Sequence, residues 1–560
     1  MQRRSSRGGW LGTWALVGTL AAALTVPALA GLRGVGLLNG LGEAYQTAAG
    51  RVEKRAPAAK RTPATKKTAG GRKTVAAKKK TLVAGRADAA SSIQTGSWRS
   101  AGGRAAVGRP LKTSAPLGAR KMASRYRVRV DPAMMLELSA QIATTLADGA
   151  TAISYPGQLA NFYRALLAHE QDPESPTVRA IQFGDSHTAA DMFTGEARQV
   201  LQRQFGNGGI GYSYAGHPFA GYRIVGSGRS QSGGWVTQGT HFRDLGDAML
   251  GMGGVSIETA RQGETVTLDA PCTTLEVQYL AQPGGGTVSL TDDGVAVAEI
   301  STASAVEAPG TYRGTCAAGD TGPAIVDSTG EQRQQHHFVL TTESGASVKL
   351  LGMVALEPGV TWEAVGINGA EAPLMLRWDP TLFAAYLKDT AAALVVLAYG
   401  TNEAAARWDG ESYREAFGRL VRTIHQLLPE AAVLVIGPSD RSVSARGRGF
   451  APFEGTARII EAQREVCRAD GCAFWDQRQR MGGLGAMQRW AYAGWAQPDH
   501  THFTGKGYQS LADALMADLL SGYEAYRAVN GPGLKPLVVP GISLLRPTAA
   551  GADMGLGKDE

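Results

Sequence analysis

The sequence predicts an α/β fold: a three-layer αβα domain with a central parallel sheet, interrupted by an inserted β-sandwich domain. Two observations carry this prediction. In residues 362–526 strongly apolar strand patterns alternate with helical patterns, which is typical of a parallel sheet covered by helices on both faces. In residues 219–357 short runs of alternating polarity are separated by Gly, Pro and Asp, a pattern that indicates the antiparallel strands of a sandwich.

The α/β part is predicted to begin with two helices, one from residue 132 and one after Pro156, followed by a strand that ends at Phe183 and a helix over 189–205. After the insert, strands are expected at 362–367, 391–399, 431–437 and 473–475, and helices near 411–428, 454–468 and 505–526. The insert is expected to contain strands at 264–268, 274–280, 287–290, 295–300, 337–340 and 347–354. The chain thus divides into an α/β domain (122–218 and 358–530), the β-insert (219–357) and a flexible tail (531–560).

Residues 1–30 have the pattern of an export signal. Arg3, Arg4 and Arg7 precede an apolar stretch at 11–24, and residues 28–30 read Ala-Leu-Ala, a small-residue cleavage site. An uncleaved membrane anchor over 10–30 is the alternative. Both interpretations place the body outside the cytoplasm, in the periplasm, in the cell envelope or in the medium.

Residues 31–121 are predicted to form a disordered basic linker, because residues 50–121 contain few large apolar side chains. Residues 1–121 hold 23 Lys and Arg against 3 Asp and Glu, a net charge of +20, so residues 122–560 carry −12 of the overall +8. An acidic body argues against a nucleic-acid partner. The linker is expected either to contact anionic envelope polymers or to act as a solvated spacer, and the protein is expected to be a monomer.

The four cysteines predict two disulfides, in keeping with an oxidising compartment. Cys467 and Cys472 flank a short turn that a bridge could close, while Cys272 and Cys316 share the β-rich region. Their spacing lacks the clustering of a metal site. Buried free thiols are the alternative.

Ser186 follows directly on a predicted strand, within the string Gly184-Asp-Ser-His-Thr. Taken alone, Gly-Asp-Ser is ordinary turn chemistry. Three more candidate site segments follow along the chain. They contain Gly369 after the strand at 362–367, Asn402 after the strand at 391–399, and Asp499 with His502 in the loop before the last helix. Strand ends and loops of this kind form the edge at which open α/β sheets bind ligands.

The residue types in these segments complement one another chemically. A serine becomes a nucleophile when a histidine accepts its proton, and a carboxylate orients that histidine. Asp499 and His502 are close enough in sequence to serve as this pair for Ser186. An oxyanion would receive hydrogen bonds from the N–H groups of Ser186 and Gly369 and from the side-chain amide of Asn402.

In this order the motifs resemble those of the SGNH (GDSL-type) hydrolases, over residues 155–530. Within that group, Gly-Asp-Ser-His-Thr (184–188), Phe-Gly-Asn-Gly-Gly-Ile-Gly-Tyr (205–212) and Gly-Thr-Asn-Glu (400–403) are similar to the peptidoglycan O-acetylesterase branch. The resemblance implies that Ser186 is the nucleophile, His502 the base and Asp499 its partner, with Ser186, Gly369 and Asn402 forming the oxyanion hole. It also implies that the β-insert is similar to a carbohydrate-binding module.

Several histidines and one aspartate offer alternatives. His500 competes with His502 as the base, and His187 and His217 are either site-lining or capping residues. Asp185 is either a helix cap or a second carboxylate of a glycosidase. His336 and His337 are adjacent on a strand and would point to opposite faces, which argues against a shared metal.

In the insert, Trp235, Tyr279 and His241 are candidates either for a sugar-stacking platform or for core packing.

The predicted function is that of an exported serine esterase that removes O-acetyl groups from cell-wall carbohydrate, with the C6 O-acetyl group of muramic acid in peptidoglycan as the expected substrate. Neither a metal nor an organic cofactor is expected. Two alternatives remain: a deacetylase of another polysaccharide, and a non-catalytic wall-binding protein on the same scaffold.

Overall fold

The computed structural model describes residues 131–148, 153–239, 245–316, 322–406, 408–445, 449–539 and 542. The predicted leader (1–30) and basic linker (31–121) lie outside these residues. Among the helices within them, none is both long enough and apolar enough to cross a membrane.

Helices and strands alternate along both halves of the α/β part. The helices are α1 (Pro132–Asp148), α2 (Ala160–Gln171), α3 (Ser186–Ala189), α4 (Met192–Phe205), α5 (Pro380–Asp389), α6 (Thr401–Ala405), α7 (Gly410–Leu427), α8 (Thr456–Asp470), α9 (Gln477–Arg480), α10 (Ala486–Tyr492) and α11 (Gly505–Asn530), with 3₁₀ helices at Pro156–Leu159 and Ala372–Arg377. The strands of this part are β1 (Val178–Gly184), β15 (Val360–Gly366), β16 (Leu394–Ala398), β17 (Ala432–Ile436), β18 (Ser442–Ser444), β19 (Phe450–Pro452) and β20 (Ala473–Trp475).

The remaining strands belong to the region between the two halves. They are β2 (Gly209–Ser213), β3 (Gly228–Gln231), β4 (Val236–Gln238), β5 (Ser256–Thr259), β6 (Thr265–Ala270), β7 (Thr274–Ala281), β8 (Thr287–Asp292), β9 (Val295–Ser301), β10 (Ala308–Thr315), β11 (Ala324–Val326), β12 (Gln332–Gln334), β13 (His336–Thr342) and β14 (Val348–Leu356).

The central sheet has five parallel strands in the order β15-β1-β16-β17-β20. Alternate residues of β16 point to opposite faces, as the period of a strand requires. Leu394 and Val396 pack in one hydrophobic cluster with α2, α4 and α11, whereas Val395 and Leu397 pack in another with α5, α7 and α8. The predicted three-layer αβα arrangement is therefore confirmed.

The insert consists mainly of two antiparallel sheets. One has the order β10-β7-β14-β5-β4 with β2 also paired to β14, and the other has the order β3-β6-β13-β8-β9. Val277 and Leu350 of the first sheet share a buried cluster with Leu268 and Leu290 of the second. Packing of the two sheets against each other confirms the predicted sandwich.

One strand of the sandwich, β2, lies before residue 219, where the insert was expected to begin. Its sequence, Gly-Ile-Gly-Tyr-Ser, contains two glycines, which are depleted in strands, and only two residues that favour them. Glycine is required within it, because a Cβ on Gly211 would lie 2.2 Å from Cγ of Glu363. The antiparallel sheet thus reaches further toward the N-terminus than the polarity pattern indicated.

The start of the predicted flexible tail is packed. Residues 531–539 form neither helix nor strand, yet Leu537 and Val539 are only 8% and 4% exposed and belong to the same cluster as α11. Burial of these two side chains corrects the prediction for this stretch.

Both predicted disulfides are present. Cys272, which precedes β7, is bonded to Cys316, which follows β10. Cys467, in the last turn of α8, is bonded to Cys472, which directly precedes β20. Free cysteines are absent from the described residues.

A buried ion pair connects the central sheet to the insert. The carboxylate of Glu363, on β15, accepts hydrogen bonds from Nε and Nη2 of Arg179 at 2.6 and 3.0 Å, and from the backbone N–H of Tyr212 on β2 at 2.8 Å. Both charged side chains are almost fully buried. Removing one partner of such a pair leaves the other charge without compensation in a medium of low polarity.

We therefore predict that Glu363→Ala lowers the free energy of unfolding by about 3–5 kcal/mol. The control is Glu415→Ala, which removes the exposed partner of Arg419 on α7 and should change that free energy by about 0.5 kcal/mol or less. Urea unfolding measures both. Equal effects of the two substitutions would contradict the role given to the buried pair.

Candidate active site

Ser186 lies at the carboxyl end of β1, where the chain turns into the single turn of α3. Asp185 is the cap of this turn, since its Oδ1 accepts a hydrogen bond from the N–H of His187 at 2.9 Å. This favours the helix-cap interpretation of Asp185 over the glycosidase one. As the first residue of a helical turn, Ser186 has a backbone N–H that lacks an acceptor within the helix.

Two glycines allow α3 to lie directly against the strands. Gly184 on β1 pairs with Gly366 on β15. A Cβ on Gly366 would lie 2.3 Å from the backbone nitrogen of Ala189, and one on Gly184 would lie 2.1 Å from Oγ1 of Thr188. Larger residues at either position would push the turn that carries Ser186 away from the sheet edge.

The structure brings Ser186, His502 and Asp499 together. Oγ of Ser186 lies 2.8 Å from Nε2 of His502, and Nδ1 of His502 lies 2.7 Å from Oδ2 of Asp499. The other carboxylate oxygen of Asp499 accepts the backbone N–H groups of Thr501 and His502, both at 3.0 Å. The loop therefore holds its own carboxylate in place, with the side chains of His502 and Asp499 39% and 50% exposed.

Asp499 and His502 each stabilise the charged form of the other. Burial alone would raise the pKa of Asp499, but the hydrogen bonds donated by His502 and by the two backbone N–H groups outweigh it and lower that pKa to about 2. The hydrogen bond to Asp499 in turn raises the pKa of His502 above its ordinary value, against a smaller opposing effect of burial. His502 is consequently a stronger base than a free imidazole.

Asn402 and Gly369 lie beside Ser186 on the neighbouring strand ends. Nδ2 of Asn402 donates to the carbonyl of Ala370 at 2.9 Å and to Oδ2 of Asp185 at 3.2 Å, so it contacts the residue next to Gly369 and the residue next to Ser186. Gly369 has a positive φ of 76° and open space where a Cβ would stand. The structure thus groups all five predicted site residues at one edge of the sheet.

Glu403, next to Asn402, is a site residue that the sequence analysis missed. It is fully buried, and its Oε1 accepts the N–H of Ala372 at 2.7 Å, which fixes the loop after Gly369. Burial raises the pKa of Glu403 to about 8, although the hydrogen bond from Ala372 opposes this. The Gly-Thr-Asn-Glu motif contained Glu403, but a motif does not show that a carboxyl group is buried.

His187 lines the interior side of the site. Its Nδ1 lies 2.9 Å from the hydroxyl of Tyr508, and its ring centroid lies 5.1 Å from that of His502. Burial lowers the pKa of His187 to about 3, so it stays neutral beside His502. A cavity of about 30 Å³, bounded in part by Asp185, His187 and Ser439, has room for a water molecule.

The other histidines have different surroundings. The ring of His500 stacks on Phe450 with centroids 3.7 Å apart, and His217 is exposed. His336 is buried against Asp292, whereas His337 is exposed beside Asp269, so the two rings lie on opposite faces of β13 as expected.

One group of metal-ligand residue types occurs in the described part of the chain: Asp292, Asp293 and His336, whose ligand atoms lie within 4.8 Å of one another. It belongs to the insert. Among the candidates for a sugar platform, Trp235 is buried and its Nε1 donates to the carbonyl of Thr265, as a core residue would. Tyr279 is partly buried against the core, and His241 lies outside the described residues.

Arg441 is a second residue that the sequence analysis missed. It follows β17, and its Nη1 donates to the carbonyl of Thr401, the residue before Asn402, at 3.0 Å. Its guanidinium lies over the ring of Phe453, 5.1 Å from the centroid. Burial lowers the pKa of Arg441, while the charges of Asp499 and Asp185 oppose that effect, which places this cation within the electrostatic field of the site.

Comparisons with known proteins agree with this geometry. The sequence profile of the GDSL-like lipase/acylhydrolase family matches residues 339–510, a range that includes Gly369, Asn402, Asp499 and His502. A solved structure of a peptidoglycan O-acetylesterase is 27% identical, with a TM-score of 0.52, over 65% of this chain and 96% of its own. Comparison with curated protein sequences gave no match.

Two more distant similarities are to family two carbohydrate esterases. The enzyme from Clostridium thermocellum is 16% identical over 51% of this chain and 98% of its own, with a TM-score of 0.23. The enzyme from Cellvibrio japonicus is 9% identical over 53% and 98%, with the same TM-score of 0.23. These scores are too low to support conclusions about this chain.

The fold, the profile match and the similarity to the first of these structures define the class of the protein. The chain contains a GDSL-type (SGNH) acylhydrolase domain. It is a carboxylic ester hydrolase.

We predict that His502 titrates above its ordinary pKa of 6.5 and that His187 stays neutral down to a pKa of about 3. NMR titration of the histidine side chains measures both. Asp499→Asn removes the negative charge that favours the imidazolium, so the pKa of His502 should fall. A pKa for His502 below 6.5, or one that the substitution leaves unchanged, would contradict the electrostatics derived above.

Proposed function

We propose that this protein is an exported serine esterase that removes O-acetyl groups from cell-wall carbohydrate, through an acetyl-enzyme on Ser186. The observation that carries the proposal is the 2.8 Å contact between Oγ of Ser186 and Nε2 of His502, with Asp499 on the other ring nitrogen. A hydroxyl so placed can lose its proton to the imidazole as it attacks.

In the first half of the proposed cycle, Oγ of Ser186 attacks the acetyl carbonyl carbon while His502 takes the hydroxyl proton. The oxyanion that forms would be bound by the N–H groups of Ser186 and Gly369 and by Nδ2 of Asn402. The intermediate collapses, the sugar oxygen leaves with the proton from His502, and the acetyl group remains on Ser186. Water, deprotonated by His502, then attacks the acetyl-serine, and acetate and free Ser186 result.

Asn402 must exchange a partner to take part. Its two amide hydrogens are directed at Ala370 and Asp185, and the contact with Asp185 is the longer one at 3.2 Å against 2.9 Å. An alkoxide-like oxyanion on the substrate is more basic than a carboxylate, even one whose pKa burial raises to about 6, so it is the stronger acceptor for Nδ2 of Asn402. We infer that the hydrogen bond to Asp185 is the one that yields.

The similarity to a peptidoglycan O-acetylesterase supports the C6 O-acetyl group of muramic acid as the substrate. The two disulfides support a location outside the cytoplasm, in keeping with the predicted leader. We propose the same domain division, with the antiparallel sheet extended to include β2 and with Leu537 and Val539 of the tail packed against the α/β domain.

The experiment that tests the function is acetate release by the full chain from O-acetylated peptidoglycan and from acetylated xylan. We expect release from the peptidoglycan, and we expect Ser186→Ala to abolish it, because Ser186 supplies the nucleophile. The control is Thr504→Ala, which removes the N-terminal cap of α11 and none of the proposed catalytic groups. It should lower the stability of the protein without abolishing acetate release.

Full activity of the Ser186→Ala variant would disprove the nucleophile assignment. A clear preference for xylan would overturn the substrate. Binding to insoluble peptidoglycan without any acetate release would favour a wall-binding protein instead.

We also predict that Asn402→Ala lowers kcat by about 10²–10³-fold, the usual effect of losing one oxyanion donor. Because the donor acts mainly in the transition state, KM should change much less. Steady-state kinetics with a soluble acetyl ester measure both constants. A variant that raises KM and leaves kcat unchanged would show that Asn402 binds the ground state instead.

A further inference from the structure

Arg441 is a positively charged residue near the proposed catalytic groups. It lies between the two segments that carry them. On one side its Nη1 donates to the carbonyl of Thr401, next to Asn402. On the other side the N–H of Ser442 donates to the carbonyl of His500, in the loop of Asp499 and His502, at 3.0 Å. The backbone of Arg441 also accepts the N–H of Phe453, whose ring lies under the guanidinium.

This arginine differs from the buried arginines of the described structure. Each of those, Arg179, Arg198, Arg480 and Arg527, has a carboxylate oxygen within 3.0 Å. Arg441 is half-buried, and within the described ranges no carboxylate lies inside the 4.0 Å limit of an ion pair. The two nearby acids are already engaged, Asp499 with His502 and Asp185 with the N–H of His187.

The guanidinium therefore keeps a donor for a ligand. Its Nη1 makes the hydrogen bond to Thr401 and its Nε is fully buried, whereas its Nη2 is not fully buried and makes no hydrogen bond to a described residue. A half-buried cation without a counter-charge is costly in free energy, and such groups are concentrated at functional sites. The planar fork of arginine matches the geometry of a carboxylate.

The charge of the rest of the protein strengthens this argument. Residues 122–560 carry a net charge of −12, and Asp499 and Asp185 add negative charge at the site itself. An anionic glycan would be repelled from such a body as a whole. A cation beside the proposed catalytic groups would offset that repulsion where the ester is bound.

We propose that Arg441 binds a carboxylate of the acetylated sugar, so that the esterase selects anionic glycans over neutral ones. The inference rests on the proposed function and narrows its substrate class. Two sugars offer this chemistry: muramic acid without a stem peptide, through the free carboxylate of its lactyl ether, and hexuronic acids, through the carboxylate on the ring.

The test compares kcat/KM for acetate release from three substrates: O-acetylated muramic-acid glycan strands freed of stem peptides, acetylated polygalacturonate and acetylated xylan. For Arg441→Gln we expect the ratio of the anionic to the neutral substrate to fall by about 10- to 100-fold, the effect of one hydrogen-bonded charge pair. Arg441→Lys, which keeps the charge but not the fork, should restore part of the ratio.

The matched control is Arg458→Gln. Arg458, on α8, is exposed, and its Nη2 donates to the carbonyls of Ala404, on α6, and of Ala406, directly after that helix. This substitution should leave the ratio unchanged. A second measurement compares salt dependence: because the acidic body repels an anionic substrate and Arg441 attracts it, raising the ionic strength should increase kcat/KM of Arg441→Gln on the anionic substrates more than that of the wild type, with no such difference on xylan.

The outcomes separate the proposals. A ratio that falls only for the muramic-acid strands supports the lactyl carboxylate, and one that falls only for polygalacturonate supports the ring carboxylate. If Arg441→Gln lowers the activity on all three substrates equally, or if its salt dependence on the anionic substrates equals that of the wild type, Arg441 is structural and the inference is overturned. If the wild type releases acetate from none of them, the proposed function itself fails.

Discussion

The parallel pairing of β15, β1 and β16 is the constraint on which the rest of the structure depends. Gly184, the last residue of β1, pairs with Gly366 on one side and with Ala398 on the other, so the three strands end level with one another. Because the strands are parallel, the loops that follow them emerge at one edge. Ser186 begins the helical turn α3 that follows β1, Asn402 lies in α6 after β16, and Gly369 lies in the loop after β15. The buried pair of Arg179 and Glu363 ties β1 to β15 within the sheet.

The pKa values of the site residues follow from how deeply each group is buried and from the hydrogen bonds that it accepts. Asp499 lies in a half-exposed loop and is held ionised by the hydrogen bonds that it accepts, which makes His502 a stronger base. Asp185 and His187 flank Ser186 but are buried, and burial raises the pKa of Asp185 to about 6 and lowers that of His187 to about 3. His187 is therefore neutral, while Asp499 and Asp185 carry the negative charge of the site at neutral pH. Arg441 is the cation that opposes these two charges.

Local patterns were sufficient to predict the five strands of the central sheet, the two disulfides and the five residues grouped at the sheet edge. Each of these depends on short stretches of chain: an apolar run, a turn, or a polar residue just after a strand. Glu403 and Arg441 could not be predicted, since their roles depend on contacts with Ala372 and Thr401 in other segments. Strand β2 was missed because its two glycines have no side chains and so give no alternation of polarity. Gly211 is required there by its close packing on Glu363.

The most direct test of the central claim is mass spectrometry of the protein quenched during turnover of an acetyl ester. The proposed cycle passes through a covalent acetyl-enzyme. His502, which is hydrogen-bonded to Ser186, would accept a proton when this intermediate forms and again when water hydrolyses it. We expect the proteolytic peptide that contains Ser186 to carry one acetyl group, and to lose it once the substrate is exhausted. Steady acetate release with Ser186 unmodified, or with the acetyl group on another residue, would contradict the account.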